Sequence, residues 1–548
     1  MKKSHEQICK EFSWEIVLKS LDCHPHYRFN LAHEACDKHA RTRGKIAFYR
    51  EREDSVSETI TFSMLKEYSN KLANTFTKYG IKKGDRVCCL MGKKPELYIT
   101  LLATLKTGAI YVPLFTAFGQ DALSYRIKQS HPKIIVTDLN NLEKITSVNP
   151  DFNQTRLIVS QSKKNEAFIS DFWQEIEEAS SYFTPVSLSL DDFYLLLFTS
   201  GSTGPPKGVL WSNKTILQLI PYLKYAIDLQ ESDVFLGPAD PAWSLGVNAC
   251  TLGPFLMGTP FVACELPFTP ELFYYLLEKY RVTNFLYAPT AYRNIKGWGT
   301  PTEKKYSLRA ASSAGEPLNS PLIDWFKEIF GVEIHDQYGL TEVGMLLNNY
   351  NASNMEIKPG SMGLPTPGHD VKLLNEHGEQ VQKGEAGEIV FNNASGLGYA
   401  FKGYWGDLNG LEPEKQAPPE YFYTGDYARQ DADGYFWFES RKDDMIISSG
   451  YRISPFEVES TLLKHDSVSE SAVIGKPDYQ RGNIVKAFVI LHDNTDASEK
   501  LKQDLQSFVK EKLARHVYPR EIDFVEELPK TISGKIQRYK LREKEINQ

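Results

Sequence analysis

The chain has 548 residues, of which 41% are hydrophobic and 24% are charged, and its formal net charge is -7. This length is too great for one ordinary core, so we expect two or more domains. The mildly acidic balance argues against a nucleic acid as the main partner, because no basic face dominates. The seven cysteines are scattered without a Cys-x-x-Cys pair, which predicts neither a disulfide framework nor a zinc site.

No long apolar segment of the sequence has the pattern of a membrane span. The polar residues at the amino terminus do not resemble a signal peptide. The most apolar window, 97–115, is interrupted by Lys106 and Gly108, which favours a buried helix followed by a strand. We therefore expect a cytoplasmic protein without a transmembrane segment.

From Ile46 onward, short apolar runs alternate with segments of helical periodicity. The helical segments are 63–79, with apolar residues spaced three and four apart, and a second segment that begins at Pro95. Strands that alternate with helices predict a largely parallel α/β sheet. The runs that predict strands are 46–50, 86–91, 109–114, 133–137 and 157–159.

A glycine-rich loop follows the apolar run 193–198, which predicts a short buried strand. The loop has the sequence Thr-Ser-Gly-Ser-Thr-Gly-Pro-Pro-Lys-Gly over 199–208. Glycine backbone, hydroxyl groups and one lysine suit a polyphosphate. Taken alone, the loop fits a flexible surface loop about as well. A P-loop of the kinase type is excluded, because Lys207 is followed by Gly208 instead of serine or threonine.

Three later segments, 285–293, 312–317 and 334–342, each predict an apolar strand that ends in polar residues with glycine or proline. Such strands suggest one ligand site at the carboxyl edge of a parallel sheet. Trp243 lies among small residues before these segments, and it fits a pocket wall as well as ordinary core.

The composition of the sequence changes at about Gly360, where glycine and proline become frequent. This composition predicts a β-rich subdomain over about 360–436, with turns at 423–426 and 431–435. The charged run 439–444 predicts a linker. Beyond it, Ser454 caps a predicted helix, and the last hundred residues predict a separate small α+β unit.

Five motifs of this chain, taken in order, resemble the motif series of the adenylate-forming acyl-CoA synthetases. That superfamily also contains luciferases and the adenylation domains of peptide synthetases. The resemblance covers the chain from about Phe29. Within the superfamily, the segments 448–453, 481–488 and 518–520 are most similar to medium-chain acyl-CoA synthetases, with acetyl-CoA synthetases as near relatives. The five motifs are the glycine-rich loop, Tyr-Gly-Leu-Thr-Glu at 338–342, Thr-Gly-Asp at 424–426, the segment 441–452, and Pro-Lys-Thr-Ile-Ser-Gly-Lys at 529–535.

The resemblance implies an α/β fold with a large N-terminal domain over 1–440, built of mostly parallel sheets flanked by helices and including the β-rich subdomain. A hinge over 441–444, centred on Asp443, would join it to a small mobile α+β domain over 445–548. The implied reaction has two steps. A carboxylate attacks the α-phosphorus of ATP to give acyl-AMP and pyrophosphate, the small domain then rotates, and the CoA thiol displaces AMP.

The resemblance also assigns residues to ATP and to the adenylation step. Lys535 would stabilise the negative charge that builds up at the α-phosphate, Thr341 would contact the reacting groups, and Glu342 would hold Mg²⁺. Taken alone, Lys535 and Glu342 fit ordinary solvated charges, so the motifs carry these roles. The residues implied to bind ATP or AMP are Thr199, Ser200, Gly201, Ser202, Thr203, Gly204, Lys207, Gly315, Glu316, Pro317, Asp336, Gln337, Tyr338, Gly339, Thr341, Asp426, Arg441 and Arg452.

The CoA and acyl sites are implied in the same way. The basic residues among the CoA-binding positions suit CoA phosphates. Acetate-specific relatives have tryptophan at the position of Gly339, so glycine implies an open tunnel for a short- to medium-chain acid. The positions implied to bind CoA are Ser449, Gly450, Tyr451, Arg481, Lys510, Tyr518, Pro519 and Arg520, and those that line the acyl pocket are Trp243, Ser244, Leu245, Ala314 and Gly339.

The expected partners are therefore ATP, Mg²⁺, CoA and a small carboxylic acid, with homo-oligomer formation left open. One departure from the family is Ser440, where a glycine commonly precedes the hinge arginine. The alternatives within the enzyme class are an acetyl- or propionyl-CoA synthetase and an acyl-adenylating enzyme that loads a carrier protein. A non-catalytic ligand sensor on the same scaffold is a further alternative, which the presence of Lys535 and Glu342 disfavours.

Overall fold

The protein is described by a computed structural model. It covers residues 2–23, 28–148, 155–162, 168–199, 206–299, 305–316, 318, 320–398, 400–406, 420–442, 444–448, 451–479, 481–493, 495–513, 517–530 and 536–546, with the side chains of 451, 452 and 546 left out. Helices and strands are numbered in chain order. The helices are α1 (His5–Glu11), α2 (Trp14–Lys19), α3 (Phe62–Lys78), α4 (Pro95–Lys106), α5 (Gln120–Ser130), α6 (Leu142–Ser147), α7 (Phe172–Glu177), α8 (Asn213–Leu217), α9 (Gly253–Met257), α10 (Pro270–Lys279), α11 (Pro289–Trp298), α12 (Ser320–Phe330), α13 (Pro455–Leu462), α14 (Glu499–Lys512) and α15 (Arg538–Ile546).

Two large sheets form the N-terminal part, and most of their strand pairs are parallel. The first has the order β16-β15-β14-β13-β12-β10-β11-β1-β2, and the second β19-β9-β8-β4-β3-β5-β6-β7. The first sheet contains β1 (Ile46–Glu51), β2 (Ser57–Thr61), β10 (Phe235–Leu236), β11 (Phe261–Cys264), β12 (Asn284–Tyr287), β13 (Ala310–Ala314), β14 (Ile334–Leu340), β15 (Gly344–Asn348) and β16 (Leu364–Pro365). The second contains β3 (Arg86–Leu90), β4 (Ile110–Leu114), β5 (Ile134–Asp138), β6 (Arg156–Ser160), β7 (Ile169–Asp171), β8 (Phe193–Thr199), β9 (Lys207–Ser212) and β19 (Tyr404–Trp405).

Helices α3 and α4 lie in the common core of the two sheets. Thr61 caps α3 by accepting a hydrogen bond from the backbone of Met64, and Pro95 occupies the first turn of α4. All residues of α4 are buried, so the apolar window is a core helix followed by β4, as predicted. In the described part of the chain, no helix is long and apolar enough to span a membrane.

The amino-terminal segment packs against the β-rich region. The indole nitrogen of Trp14 donates to the carbonyl of Gly368 at 3.3 Å. A Cβ atom at Gly368 would lie 2.4 Å from the Phe12 ring, so glycine is needed for this close approach. These contacts attach helices α1 and α2 to a region more than three hundred residues later in the chain.

The β-rich region forms an antiparallel sheet of order β17-β18-β20-β21. Two predictions about it are wrong. The segment 423–426 is part of a strand, not a turn, because its backbone pairs with β18 and β21 on its two sides. The run 439–444 is not wholly a linker, because its first three residues end a strand. The strands are β17 (Val371–Leu374), β18 (Ala386–Asn392), β20 (Tyr421–Gln430) and β21 (Phe436–Arg441).

The carboxyl-terminal part has a separate core of its own. The predicted cap of α13 is confirmed, since the Ser454 hydroxyl accepts from the backbone of Glu457 at 3.1 Å. Helices α13 and α14 pack on a sheet of order β24-β25-β26, and α15 packs on β24. The strands of this part are β22 (Ile446–Ser448), β23 (Tyr451–Ile453), β24 (Val468–Asp478), β25 (Gly482–Leu491) and β26 (Glu521–Phe524). The mixed α/β architecture and its small α+β end agree with the prediction.

Candidate active site

The three predicted strand-to-loop segments are brought together at one edge of the first sheet. Strands β12, β13 and β14 are parallel neighbours, with Leu286 opposite Ser312 and Ala314 opposite Gln337. Their carboxyl ends therefore meet at one edge, where ligands bind in open α/β sheets. The third segment differs in detail, because β14 continues to Leu340 and turns directly into β15.

The base of the glycine-rich loop is a pair of antiparallel strands. Thr199 ends β8 opposite Lys207 of β9, and its hydroxyl lies 3.4 Å from the Lys207 carbonyl. Gly208 is needed here, because a Cβ atom would lie 2.7 Å from Cβ of Trp405 in β19. The loop positions Ser200, Gly201, Ser202, Thr203 and Gly204 lie outside the described residues.

Glu342 and Lys207 contact the same side chain, Tyr404. The Tyr404 hydroxyl donates to Glu342 Oε1 at 3.2 Å. Lys207 Nζ lies 4.9 Å from the centre of the Tyr404 ring, within the range of a cation–π contact. Tyr404 is not among the residues predicted from the motifs. Its signal was the short Tyr-Trp run, which forms β19 on the edge of the glycine-loop hairpin.

The two large sheets are joined beside these residues. The indole nitrogen of Trp211, on β9, donates to the Thr341 carbonyl at 2.7 Å. Thr341 follows β14 of the other sheet, so this hydrogen bond fixes the Thr-Glu pair relative to the base of the glycine-rich loop. Trp211 is buried, so the bond is shielded from water.

A second polar group lies at Tyr338, Asp426 and Arg441. The Tyr338 hydroxyl donates to Asp426 Oδ2 at 2.7 Å, and Arg441 Nε donates to Oδ1 at 3.1 Å. Burial, and secondarily the Asp426 carboxylate, raise the pKa of Tyr338 well above its usual range, so the hydroxyl remains a donor. Asp426 thus offers a nearly buried carboxylate whose two oxygens are already oriented.

Asp336 and Gln337 face opposite sides of β14. Gln337 accepts from the Tyr222 hydroxyl at 2.7 Å and donates to Ser312 at 3.0 Å, so its side chain belongs to a buried network. Because the Gln337 side chain is engaged in the core, only the Gln337 backbone could contact a nucleotide base. Asp336 is buried with no hydrogen-bond partner for Oδ1, and burial raises its pKa to about 8. Asp336 is therefore mostly protonated at neutral pH.

Gly315 and Glu316 follow β13. Gly315 adopts a φ of 99°, in the left-handed region that favours glycine. Glu316 is tied to helix α11, because its carboxylate accepts from Thr290 at 2.9 Å and from Arg293 at 2.7 Å. The Glu316 carboxylate therefore holds the loop in place, and Pro317 lies outside the described residues.

The predicted acyl-pocket residues lie on several elements. Trp243 packs with Phe115 and Phe118 at ring-centre distances of 5.6 and 5.9 Å. Ser244 and Leu245 begin the helical segment that follows, Ala314 ends β13, and Gly339 lies near the end of β14. A Cβ atom at Gly339 would lie 2.2 Å from the Gly344 carbonyl oxygen. Glycine at this position therefore also avoids a clash with the backbone of the turn into β15.

Three of the predicted CoA-binding residues form one cluster in the carboxyl-terminal part. Lys510 Nζ lies 4.0 Å from the centre of the Tyr518 ring, and Arg520 donates to the Tyr518 hydroxyl at 3.1 Å. Pro519, which lies between Tyr518 and Arg520 in the sequence, is buried. Arg481 is exposed on the β24–β25 hairpin. Outside the described residues, or described without their side chains, are Asp443, Ser449, Gly450, Tyr451, Arg452 and Lys535.

Family models match both parts of the chain. Residues 36–405 match the AMP-binding enzyme family, and residues 457–535 match the AMP-binding enzyme C-terminal domain. The chain belongs to the AMP-binding enzyme family. The predicted family and enzyme class, an acyl-CoA synthetase that acts on ATP and CoA, are confirmed by this match and by the relatives below.

The relatives of this AMP-binding enzyme cover most or all of its length. It is 37% identical to the acetyl-coenzyme A synthetase of Bacillus subtilis (strain 168) over 556 residues, covering 100% of this chain and 96% of the relative. It is 36% identical to the mitochondrial acyl-coenzyme A synthetase ACSM3 of Mus musculus, covering 88% and 84% of the two chains. An acyl-CoA synthetase structure from Brucella canis matches with a TM-score of 0.78 and 37% identity, covering 100% of this chain and 99% of that one.

Proposed function

We propose that this AMP-binding enzyme activates a short- to medium-chain carboxylic acid with ATP and transfers the acyl group to CoA. In the first step, a carboxylate oxygen bonds to the α-phosphorus of ATP and the bond to pyrophosphate breaks. In the second step, the CoA sulfur bonds to the acyl carbonyl carbon and AMP leaves. The observation that carries the proposal is the pair of polar groups beside β14, one around Glu342 and one around Asp426.

The group around Asp426 suits the ribose of the nucleotide. An ionised carboxylate accepts hydrogen bonds from hydroxyl groups, and Tyr338 and Arg441 hold this one in a fixed orientation. Gly315 and the backbone of Gln337 would line the adenine, beside the protonated carboxyl of Asp336. The nucleoside would therefore lie across the ends of β13 and β14.

The group around Glu342 suits the phosphates and a magnesium ion. Mg²⁺ is usually bound by one or two carboxylates together with substrate phosphates. Glu342 would supply such a carboxylate, and the Tyr404 hydroxyl donates to its Oε1 at 3.2 Å. When bound with ATP, the ion would neutralise phosphate charge. Lys207 and the glycine-rich loop would contact the β- and γ-phosphates, and Thr341 the α-phosphate.

The second step would use the carboxyl-terminal domain, 445–548. We assign Lys535 to the adenylation step and Lys510, Tyr518 and Arg520 to CoA. Rotation about Asp443 would exchange them at the active site. Lys510 and Arg520 both contact Tyr518, and two neighbouring cations suit the phosphates of CoA. This pair of cations favours CoA over a carrier protein as the acyl acceptor.

The acid is the part of the proposal that needs a direct test. The 37% identity to an acetyl-coenzyme A synthetase keeps acetate or propionate as the second candidate. Thioester formation should be measured with acetate through laurate, isobutyrate and benzoate, with CoA as the acceptor. We expect the highest kcat/KM for an acid longer than propionate. A strong preference for acetate over hexanoate would contradict the open tunnel, and adenylation without CoA acylation would favour a carrier protein.

A further inference from the structure

The two charged residues that flank the proposed hinge residue are held by different domains. Before the hinge, the backbone of Lys442 donates to the Gly425 carbonyl at 2.7 Å, and its Nζ lies 3.2 Å from Glu388 Oε2. Glu388 and Gly425 belong to the antiparallel sheet of the N-terminal domain. Lys442 therefore extends that sheet by one residue beyond β21.

After the hinge, Asp444 is held by the last helix of the chain. Arg542 donates to Asp444 Oδ1 at 2.7 Å, and Arg538 Nη1 lies 3.5 Å from Oδ2. The two arginines are four residues apart on α15, so they share one face of the helix. The Asp444 side chain is only 14% exposed, which reduces the screening of these contacts by water.

Arg538 is itself fixed in the core of the C-terminal domain. It forms a bidentate pair with Glu459 of α13, in which Nε donates to Oε1 at 3.1 Å and Nη2 donates to Oε2 at 2.7 Å. Glu459 is 6% exposed, and its Oε1 also accepts from the backbone of Val473 on β24 at 2.7 Å. Asp444 is thus connected through Arg538 to a second helix and to the central sheet of this domain.

We infer that Arg538 and Arg542 are positioning residues that confine the domain rotation to the chain between Lys442 and Asp444. They make Asp444 part of the C-terminal body, while Glu388 and Gly425 keep Lys442 on the other side. Helix α15 begins three residues after Lys535 in the sequence, so contacts that hold α15 would limit how far that lysine can lie from Asp444. This inference rests on the proposed two-step reaction. The simpler alternative is that the ion pair only stabilises the fold.

The test is Arg542→Gln, because Arg542 is less buried than Arg538 and its loss leaves the Glu459 pair intact. We expect kcat for the complete reaction to fall about tenfold or more, since small misplacements of catalytic groups have such costs. KM for ATP and for the acid should change less than about twofold, because most of their proposed contacts lie in the N-terminal domain. Arg542→Lys, which keeps a cation beside Asp444, should recover much of the rate.

Two further variants separate positioning from stability. Lys540→Gln removes an exposed charge from the same helix and should leave kcat and the melting temperature unchanged. The double variant Asp444→Asn with Arg542→Gln should lose no more kcat than the worse of the two single variants, because both substitutions break the same Arg542–Asp444 contact. Unchanged kcat in Arg542→Gln, or full additivity in the double variant, would overturn the inference. Failure of the wild type to form acyl-AMP would instead contradict the proposed function.

Discussion

The hydroxyl of Tyr404 donates to Glu342 Oε1 at 3.2 Å, while Lys207 Nζ lies 4.9 Å from the centre of the same ring. One side chain thus orients the proposed magnesium ligand and contacts the lysine of the glycine-rich loop. Trp405 supports it, since its indole donates to the Gln129 carbonyl at 2.7 Å and its Cβ lies against Gly208. The phosphate end of the proposed site therefore depends on a short edge strand outside the five motifs.

Tyr404→Phe removes the hydroxyl and keeps the ring. We expect the Mg²⁺ concentration for half-maximal pyrophosphate release to rise about threefold to tenfold, because a hydrogen bond to a charged group is worth about 1.5–3 kcal/mol when buried and less when partly exposed. Titration of Mg²⁺ at fixed ATP measures this, and Mg²⁺-dependent binding of an ATP analogue gives a readout apart from turnover. Tyr421→Phe, in β20, is the matched control, and an equal shift in both variants would contradict the role.

The burial of Asp336 leads to a prediction about how the stability of the fold depends on pH. Its pKa is about 8 in the folded protein and near 3.8 when unfolded, so the folded state holds a proton that the unfolded state has lost between these values. Stability from this group is complete below about pH 4 and is lost as the pH rises toward 8. Asp336→Asn, a neutral substitute of similar shape, should remove this slope.

The measurement for Asp336 is the melting temperature of wild type and Asp336→Asn between pH 5 and 8.5. We expect the wild type to lose several degrees relative to the variant as the pH rises. The variant should also keep its KM for ATP at pH 7 within about threefold, because the wild-type carboxyl is already neutral. Parallel melting curves would show that Asp336 is ionised at neutral pH.

Much of the architecture was predictable because its elements are long and strongly periodic. Helix α4 and strand β4 follow directly from the apolar window, and the cap at Ser454 follows from its position before α13. The prediction of a turn at 423–426 is wrong. Gly425 has a φ of 74°, which is common in turns, but it lies inside β20. Local glycine content signals a turn, while pairing with distant β18 keeps the segment in a strand.

The candidate site was predictable only where a motif carried it. Gln337 was assigned to the nucleotide, yet its side chain is used by Tyr222 and Ser312 in the core, since alternate residues of a strand face opposite sides. Tyr404 is not predictable in this way, because its contacts with Glu342 and Lys207 join residues more than sixty positions apart. Contacts of this kind depend on how strands assemble and leave no local pattern.

Gly339 makes a prediction about acyl specificity. Its missing side chain implies an open tunnel by resemblance to the family, but any Cβ atom would also lie 2.2 Å from the Gly344 carbonyl oxygen. Gly339→Ala should therefore lower the melting temperature by several degrees and reduce activity with all acids to a similar extent. Rates with acetate, butyrate and octanoate measure this. A selective loss of the longer acids, with stability unchanged, would show that Gly339 controls pocket length directly.

The contacts that hold the loop after β13 lead to a prediction about KM for ATP. Arg293→Gln removes a 2.7 Å contact to the Glu316 carboxylate, which should loosen the loop that contains Gly315. We expect KM for ATP to rise about threefold to tenfold, with KM for the acid unchanged. Lys296→Gln, which lies nearby on α11 and is exposed, serves as the control. Equal changes in both KM values would point to a general loss of fold.

The variant Lys535→Ala tests most directly whether Lys535 acts in adenylation and not in thioester formation. Pyrophosphate release from ATP and acid, and thioester formation from supplied acyl-AMP and CoA, should be measured separately on this variant and on wild type. We predict that pyrophosphate release falls by about 10²–10³-fold or more, because a charge-stabilising contact is lost. Thioester formation should stay within about threefold of wild type. Equal loss of both half-reactions would contradict the assignment of Lys535 to adenylation alone.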